Sequence, residues 1–229
     1  MATITRGGLV SLTRQLMDAV GATDRWSDDF MKQVLNNTYD TEWSNILNAF
    51  PYYTFNQKSV TTDSNGQINF TALDTGSGDT EQHFYRVLSV NDGSVIYTET
   101  RFQDVPLATT TNYLPTYPRL YYIVDSKLQL LPVDSGKSIY VAVNYKPTAL
   151  LDLSSDSVTL TYPENNYIVI AAEAAAALLL KGGAEAGAAA NYKKMAADNR
   201  EIMIDDLRRR SINPTRMAYP DLRYDWAGG

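Results

Sequence analysis

Several residue types that build reactive sites are scarce in this chain of 229 residues. There is no cysteine, which excludes disulfides, thiolate metal sites and thiol nucleophiles. Histidine occurs once, as His83, and this excludes metal motifs that need two histidines. Basic residues (20) are outnumbered by acidic residues (26), so the basic footprint of proteins that coat nucleic acid is missing. We expect no cofactor and no bound metal.

Targeting and membrane signals are also missing from the sequence. The first ten residues have no apolar core and no small-residue cleavage site, so we expect no signal peptide. The longest apolar run, at 167–180, contains Glu173 and is shorter than the ~20 residues that span a bilayer. The run therefore predicts a buried helix and no contact with a membrane.

The first fifty residues carry two helical patterns of apolar residues. The first pattern follows Gly7-Gly8, which we expect to precede the helix, and Gly21 ends it. The second begins behind Ser27, a predicted N-cap, and stops at Pro51. Its apolar stripe consists of Phe30, Val34, Trp43, Ile46, Leu47 and Phe50.

The middle of the chain changes to alternation of apolar and polar residues, which predicts short antiparallel strands over 52–161. The last of these strands is predicted at 158–162, and the segment 102–118, rich in Thr and Pro, predicts a long loop. This many short strands favour a small sandwich or barrel. Predicted turns lie at 64–66, 91–94 and 125–127.

Helical signals return at Pro163 and end with a proline-containing tail. The apolar segment 167–180 is separated by Gly182-Gly183 from a second helix at 184–210. The order of patterns predicts an α+β protein, in which N- and C-terminal helices form a bundle around an inserted antiparallel β module. The predicted parts are an N-terminal helical hairpin (1–51), the β module (52–162), the C-terminal helices (163–210) and an extended C-terminal arm (211–229).

Two segments resemble ligand-binding loops but are incomplete. The segment 136–138 reads Gly-Lys-Ser like the end of a phosphate-binding loop, but Leu131 replaces the required glycine and a strand follows. The segment 152–156 has the alternating oxygens of a calcium loop, but Ser157 and Pro163 replace its glycine and glutamate. We interpret them as a hairpin turn and a polar turn.

Candidate catalytic residues are equally weak. Asp28-Asp29 and Asp205-Asp206 are neighbours on predicted helices, so the side chains of each pair point about 100° apart. The sequence has no G-x-S-x-G motif, which would supply a serine nucleophile for His83 to activate. The simpler interpretation of His83 is a histidine at a strand end. With 26 acidic residues, a glycan hydrolase that uses two facing carboxylates stays open.

The clearest candidates for function lie at the C-terminus. Three arginines close the last helix, where they either stabilise the helix dipole or form a docking patch for an acidic partner. The tail that follows exposes aromatic residues unless it packs on its own chain or orders on a partner, and we favour the partner. The predicted docking residues are Arg208, Arg209, Arg210, Tyr219, Leu222, Tyr224 and Trp226.

The order of these patterns resembles the head-to-tail adaptor (tail tubular, or gatekeeper-ring) proteins of tailed bacteriophages. The clearest part of the resemblance is the segment 121–132, YYIVDSKLQLLP. It continues through 139–147, Leu150-Leu151 and the helix start at 160–163, and the N-terminal segment 43–53 is similar as well. These are scaffold patterns of hairpins and helix starts, and none is a catalytic signature.

The resemblance implies a structural virion protein without an active site. Such proteins form a ring, usually of twelve copies, beneath the portal protein, to which the tail nozzle or tail tube attaches. The ring extends the channel through which DNA passes, and the C-terminal segment reaches into the portal. We expect a location in the neck of the virion, after assembly in the host cytoplasm. The alternatives are a carboxylate-based glycan hydrolase and a carbohydrate-binding module of the virion.

Overall fold

The computed structural model describes residues 3–18, 26–101, 119–163, 166–181 and 186–212. The chain divides into two compact units, one made of residues 1–35 and 159–229 and the other of residues 36–158. The described helices are α1 (Arg6–Leu16), α2 (Asp28–Ala49), α3 (Ile168–Lys181) and α4 (Ala186–Ile212). The strands are β1 (Phe55–Thr61), β2 (Gln67–Asn69), β3 (Gln82–Asn91), β4 (Ile96–Glu99), β5 (Leu120–Val124), β6 (Lys127–Leu131) and β7 (Ser138–Pro147).

These elements confirm the predicted α+β class, with helices before and after a barrel-like β unit. Helix α3 forms the centre of the first unit, and both α1 and α4 pack against it. Its small side chains let neighbouring helices approach closely, and an ion pair of 2.9 Å joins Arg200 of α4 to Glu173 of α3. The fully buried residues of α3 are Val169, Ile170, Ala171, Ala172, Ala174, Ala175, Ala176 and Leu178.

Helix α1 begins earlier than the sequence predicts. Gly7 and Gly8 lie inside the helix, because Thr5 caps it and accepts a hydrogen bond from the Gly8 amide at 3.1 Å. A Cβ at Gly8 would lie 3.0 Å from Ile4 Cγ1, so glycine here permits a close contact within the first turn. The prediction that the two glycines precede the helix was therefore wrong.

Helix α2 starts directly after Ser27, the predicted N-cap. The Phe30 amide donates to Ser27 Oγ at 3.3 Å, and Asp28 in the first turn accepts a hydrogen bond from Arg14 Nη2 at 2.6 Å. The helix ends at Ala49, two residues before Pro51, which cannot continue it. Among its buried residues are Trp43 and Leu47, as the predicted stripe requires.

The second unit holds a sheet of seven strands in the order β1-β7-β3-β4-β5-β6-β2, curved into a nearly closed barrel. Five neighbouring pairs are antiparallel, but β4 and β5 run parallel, which the sequence did not predict. The barrel core is aliphatic and aromatic. It consists of Ile68, Leu73, Val87, Val90, Tyr97, Tyr121, Leu128, Leu130, Ile139, Val141, Val143 and Tyr145.

Two further segments test the predicted strands and turns. Asp125 and Ser126 have φ angles of 48° and 58°, the left-handed geometry that a two-residue hairpin needs, and this confirms the turn. The predicted strand at 158–162 was wrong. Thr159 forms only an isolated bridge with Thr5, because the chain at Thr5 passes directly into α1 and provides no longer partner. The segment 102–118 lies outside the described residues.

Candidate functional site

The C-terminal end of α4 presents a basic surface. Met203 and Leu207 face the helical core, whereas Arg208 and Arg209 are exposed. The Arg208 side chain is 65% exposed, and its Nη1 lies 3.4 Å from Asp205 Oδ1 of the same helix. The apolar side chain of Ile202 is 61% exposed on the same stretch of helix. Exposed cations beside exposed apolar surface suit contact with an acidic partner.

The remaining predicted docking residues lie outside the described part of the structure. This holds for the side chain of Arg210 and for Tyr219, Leu222, Tyr224 and Trp226. The assignment of all seven residues to docking therefore stays a prediction. Of the predicted patch, the structure describes the side chains of Arg208 and Arg209.

Basic side chains of the β unit are engaged in ion pairs. Lys137 Nζ lies 2.7 Å from Asp92 Oδ2 and 3.2 Å from Asp134 Oδ2. Arg119 Nη1 lies 3.0 Å from the same Asp134 oxygen and 3.6 Å from Asp92 Oδ2. Two cations and two carboxylates thus form one compact network. The Gly-Lys-Ser segment at 136–138 forms the turn that leads into β7, and its lysine, Lys137, pairs with carboxylates.

Asp92 is the most buried member of this network, with 5% of its side chain exposed. Burial acts to raise the pKa of its carboxyl, but hydrogen bonds from Lys137 and from the amides of Val95 and Ser94 outweigh it. The net effect lowers the pKa of Asp92 from 3.8 to about 2. The carboxylate is therefore held charged in the loop between β3 and β4, and it fixes this loop to the turn before β7.

Among the described residues of the β unit, the two most exposed large apolar side chains, Tyr52 and Ile96, lie at different places. Tyr52 is 72% exposed and lies beside Phe55, with ring centroids 6.2 Å apart. At the β3–β4 hairpin, Ile96 is also 72% exposed, next to the partly exposed Val95. The sequence pattern did not single out either place, because an exposed apolar residue and a buried one look alike in a strand.

The weak catalytic candidates occupy a strand end, polar turns and an exposed helix surface. His83 lies at the start of β3 with 48% of its side chain exposed, 3.7 Å from Asp74. The segment 152–156 forms polar turns, in which the Ser154 amide donates to Asp79 Oδ1 at 2.7 Å. Asp205 is occupied with Arg208 on the surface of α4.

A pocket of about 170 Å³ in the β unit bears on the glycan hydrolase alternative. It is bounded by Trp43, His83 and Lys146 among others, and Lys146 Nζ binds Asp40 Oδ1 at 2.7 Å. Among the described residues that line it, Asp40 is the single one with a carboxylate. A glycoside hydrolase needs two carboxylates across a cleft, so this pocket does not provide that chemistry.

Comparison with protein-family models gives a match that covers most of the chain. The family model described as SU10 adaptor protein matches residues 5–218, which include most of both compact units. A search of curated proteins found no match. Within the described residues, no helix combines the length and the apolar character needed to cross a bilayer.

Proposed function

Because the chain belongs to the SU10 adaptor protein family, a family of phage head-to-tail adaptors, we propose that it is a non-enzymatic structural protein that joins the portal to the tail nozzle. The observation that carries this proposal is the family match over 5–218, since it covers the helices and the β unit together. In this role the chain closes into a ring, of about twelve copies by the resemblance described above. It assembles in the host cytoplasm and stays in the virion neck.

The end of α4 is the proposed portal-docking surface. Arg208 and Arg209 are exposed there, and the arm 211–229 follows directly in the sequence. The aromatic residues of the arm give it anchors for a groove or a sheet edge on the portal. Ordering of the arm and closure of the ring support each other, because each docked copy holds its neighbours at high effective concentration.

The β unit suits a channel wall that DNA passes without adhering. Residues 51–160 hold 7 basic and 11 acidic side chains. In addition, Arg119, Lys137 and Lys146 are already paired with carboxylates. Release of counterions by phosphate contacts drives non-specific DNA binding, and cations that are already paired contribute little to it.

Contacts between copies in the ring need surface that is apolar and exposed in a single chain. Two exposed places on the β unit, around Tyr52 and around Ile96, supply such surface. They are different surfaces, as the head-to-tail contact of a cyclic ring requires.

Portal binding tests the docking surface. The Arg208→Glu/Arg209→Glu double variant and a chain truncated before Ser211 should each bind the cognate portal at least about tenfold more weakly, through lost charge and lost anchors. Lys193→Glu is the matched control, because Lys193 is an exposed cation of the same helix and should leave binding unchanged. Unchanged binding by the truncated chain would show that the arm does not dock.

A further inference from the structure

Three potential metal ligands meet at the start of β3, in a different compact unit from the proposed docking surface. Asp74, Glu81 and His83 each place one ligand atom within 4.8 Å of the others. Asp74 Oδ2 and His83 Nδ1 are 3.7 Å apart, too far for a hydrogen bond. Ligand atoms bound to one tetrahedral ion by bonds of about 2.0 Å lie roughly 3.3 Å apart. Small side-chain movements would therefore bring the three atoms to coordination distance.

The backbone explains why residues seven to nine positions apart converge. Thr75 and Gln82 form a β-bridge, with hydrogen bonds of 3.0 and 2.7 Å in both directions. Glu81 is extended and lies two residues before His83, so their side chains leave the chain on the same face. Asp74 lies across the bridge from them.

The carboxylates of Asp74 and Glu81 differ in their hydrogen bonds. Asp74 Oδ1 accepts a hydrogen bond from the Phe84 amide at 2.7 Å, which orients the group and leaves Oδ2 beside His83. Among the described residues, the Glu81 carboxylate has no hydrogen-bond or ion-pair partner. Lys58 lies nearby, but its ammonium group binds the backbone carbonyls of Ala72 and Asp74 instead of these carboxylates.

A buried hydroxyl group lies on β7, next to the strand that carries His83. Tyr145 is 1% exposed, and its hydroxyl has no hydrogen-bond partner among the described residues. Burial first, and then the negative charge of Asp74, raise the pKa of this phenol, which belongs to the barrel core. A buried polar group without a protein partner is often satisfied by water or by the water of a bound ion.

We propose that Asp74, Glu81 and His83 bind a divalent transition-metal cation, with zinc as the best fit. One imidazole nitrogen and two carboxylate oxygens suit zinc, whereas magnesium and calcium prefer oxygen ligands alone. Three protein ligands leave a fourth position for water. The ion fastens the loop between Asp74 and Glu81 to β3, and it stabilises the β unit by binding only the folded chain. This inference does not depend on the adaptor role.

Zinc titration of the untagged, metal-free full chain tests the proposal. We expect one zinc per chain by calorimetry and a higher unfolding temperature. His83 is the only histidine, so its imidazole proton signals in NMR are unambiguous and should shift on titration. Asp74→Asn, Glu81→Gln and His83→Asn should each weaken zinc binding about tenfold or more.

Asp79→Asn is the matched control, because it removes the same charge from the same loop outside the cluster. It should bind zinc within twofold of the original chain. Absence of binding would overturn the proposal, and so would binding that His83→Asn leaves unchanged, since the ion would then sit on other acidic residues. Circular dichroism checks that the exposed His83→Asn and the isosteric Glu81→Gln variants stay folded.

Discussion

The charge network around Asp92 makes a sharp prediction for acid stability. Its carboxylate lies 2.7 Å from Lys137 Nζ and accepts hydrogen bonds from the amides of Ser94 and Val95 at 3.0 and 2.8 Å. Asp92→Asn removes the negative charge while it keeps an oxygen for these amides. Lys137 and Arg119 then share the single carboxylate of Asp134.

The magnitude follows from the pKa of Asp92, which is lowered from 3.8 to about 2. One pKa unit corresponds to about 1.4 kcal/mol, so ionised Asp92 stabilises the folded chain by about 2 kcal/mol. Because the folded-state pKa is lowered, this contribution is present above pH 3.8 and is lost as the pH falls through about 2. At pH 7 the variant should be less stable by about 2 kcal/mol, or roughly 4–8 °C in midpoint.

Urea unfolding of both chains between pH 7 and pH 2 measures this difference. The cost of Asp92→Asn should shrink as the pH falls below 4 and nearly vanish at pH 2. Asp125→Asn is the control, since Asp125 is exposed in a left-handed turn position that asparagine tolerates. A variant as stable as the original at pH 7, or a cost that does not change with pH, would refute the reasoning.

Three further predictions concern stability. Leu178→Ala, in the fully buried face of α3, should lower the unfolding free energy by about 2–5 kcal/mol in urea titrations. Burial first and then Glu99 raise the pKa of Tyr121 to about 12. The neutral phenol therefore stabilises the fold below pH 10, and this contribution is lost as the pH rises through 12. When the unfolding midpoint is measured against pH, Tyr121→Phe should reduce its fall at alkaline pH. Gly66 has a φ of +69°, and a Cβ there would lie 3.1 Å from Val133, so Gly66→Ala should cost about 1 kcal/mol by the same titrations.

Local signals predicted the elements better than their pairing. The cap at Ser27 and the hairpin at Asp125 and Ser126 depend on a few adjacent residues, so the sequence shows them directly. The parallel pairing of β4 with β5 depends on residues far apart in the chain, and no local pattern reports it. The wrong strand at 158–162 has the same origin, because alternation indicates a strand without showing whether a partner exists.

Of the candidate sites, one was predictable from local sequence and the other was not. The exposed arginines at 208 and 209 were predictable, since charged residues at the end of an amphipathic helix seldom lie inside. The Asp74–Glu81–His83 cluster was not, because its spacing matches no metal motif and its geometry is created by the Thr75–Gln82 bridge. His83 alone, judged from sequence, indicated only a histidine at a strand end.

The adaptor role is tested most directly by the mass of the purified chain in solution, measured by light scattering alone and after mixing with the cognate portal. The account predicts a portal-bound species whose added mass corresponds to a closed ring of copies, about twelve for each portal. A chain that remains separate from the portal at every mixing ratio would contradict it. Hydrolysis and binding of glycans by the same preparation would then become the next measurements.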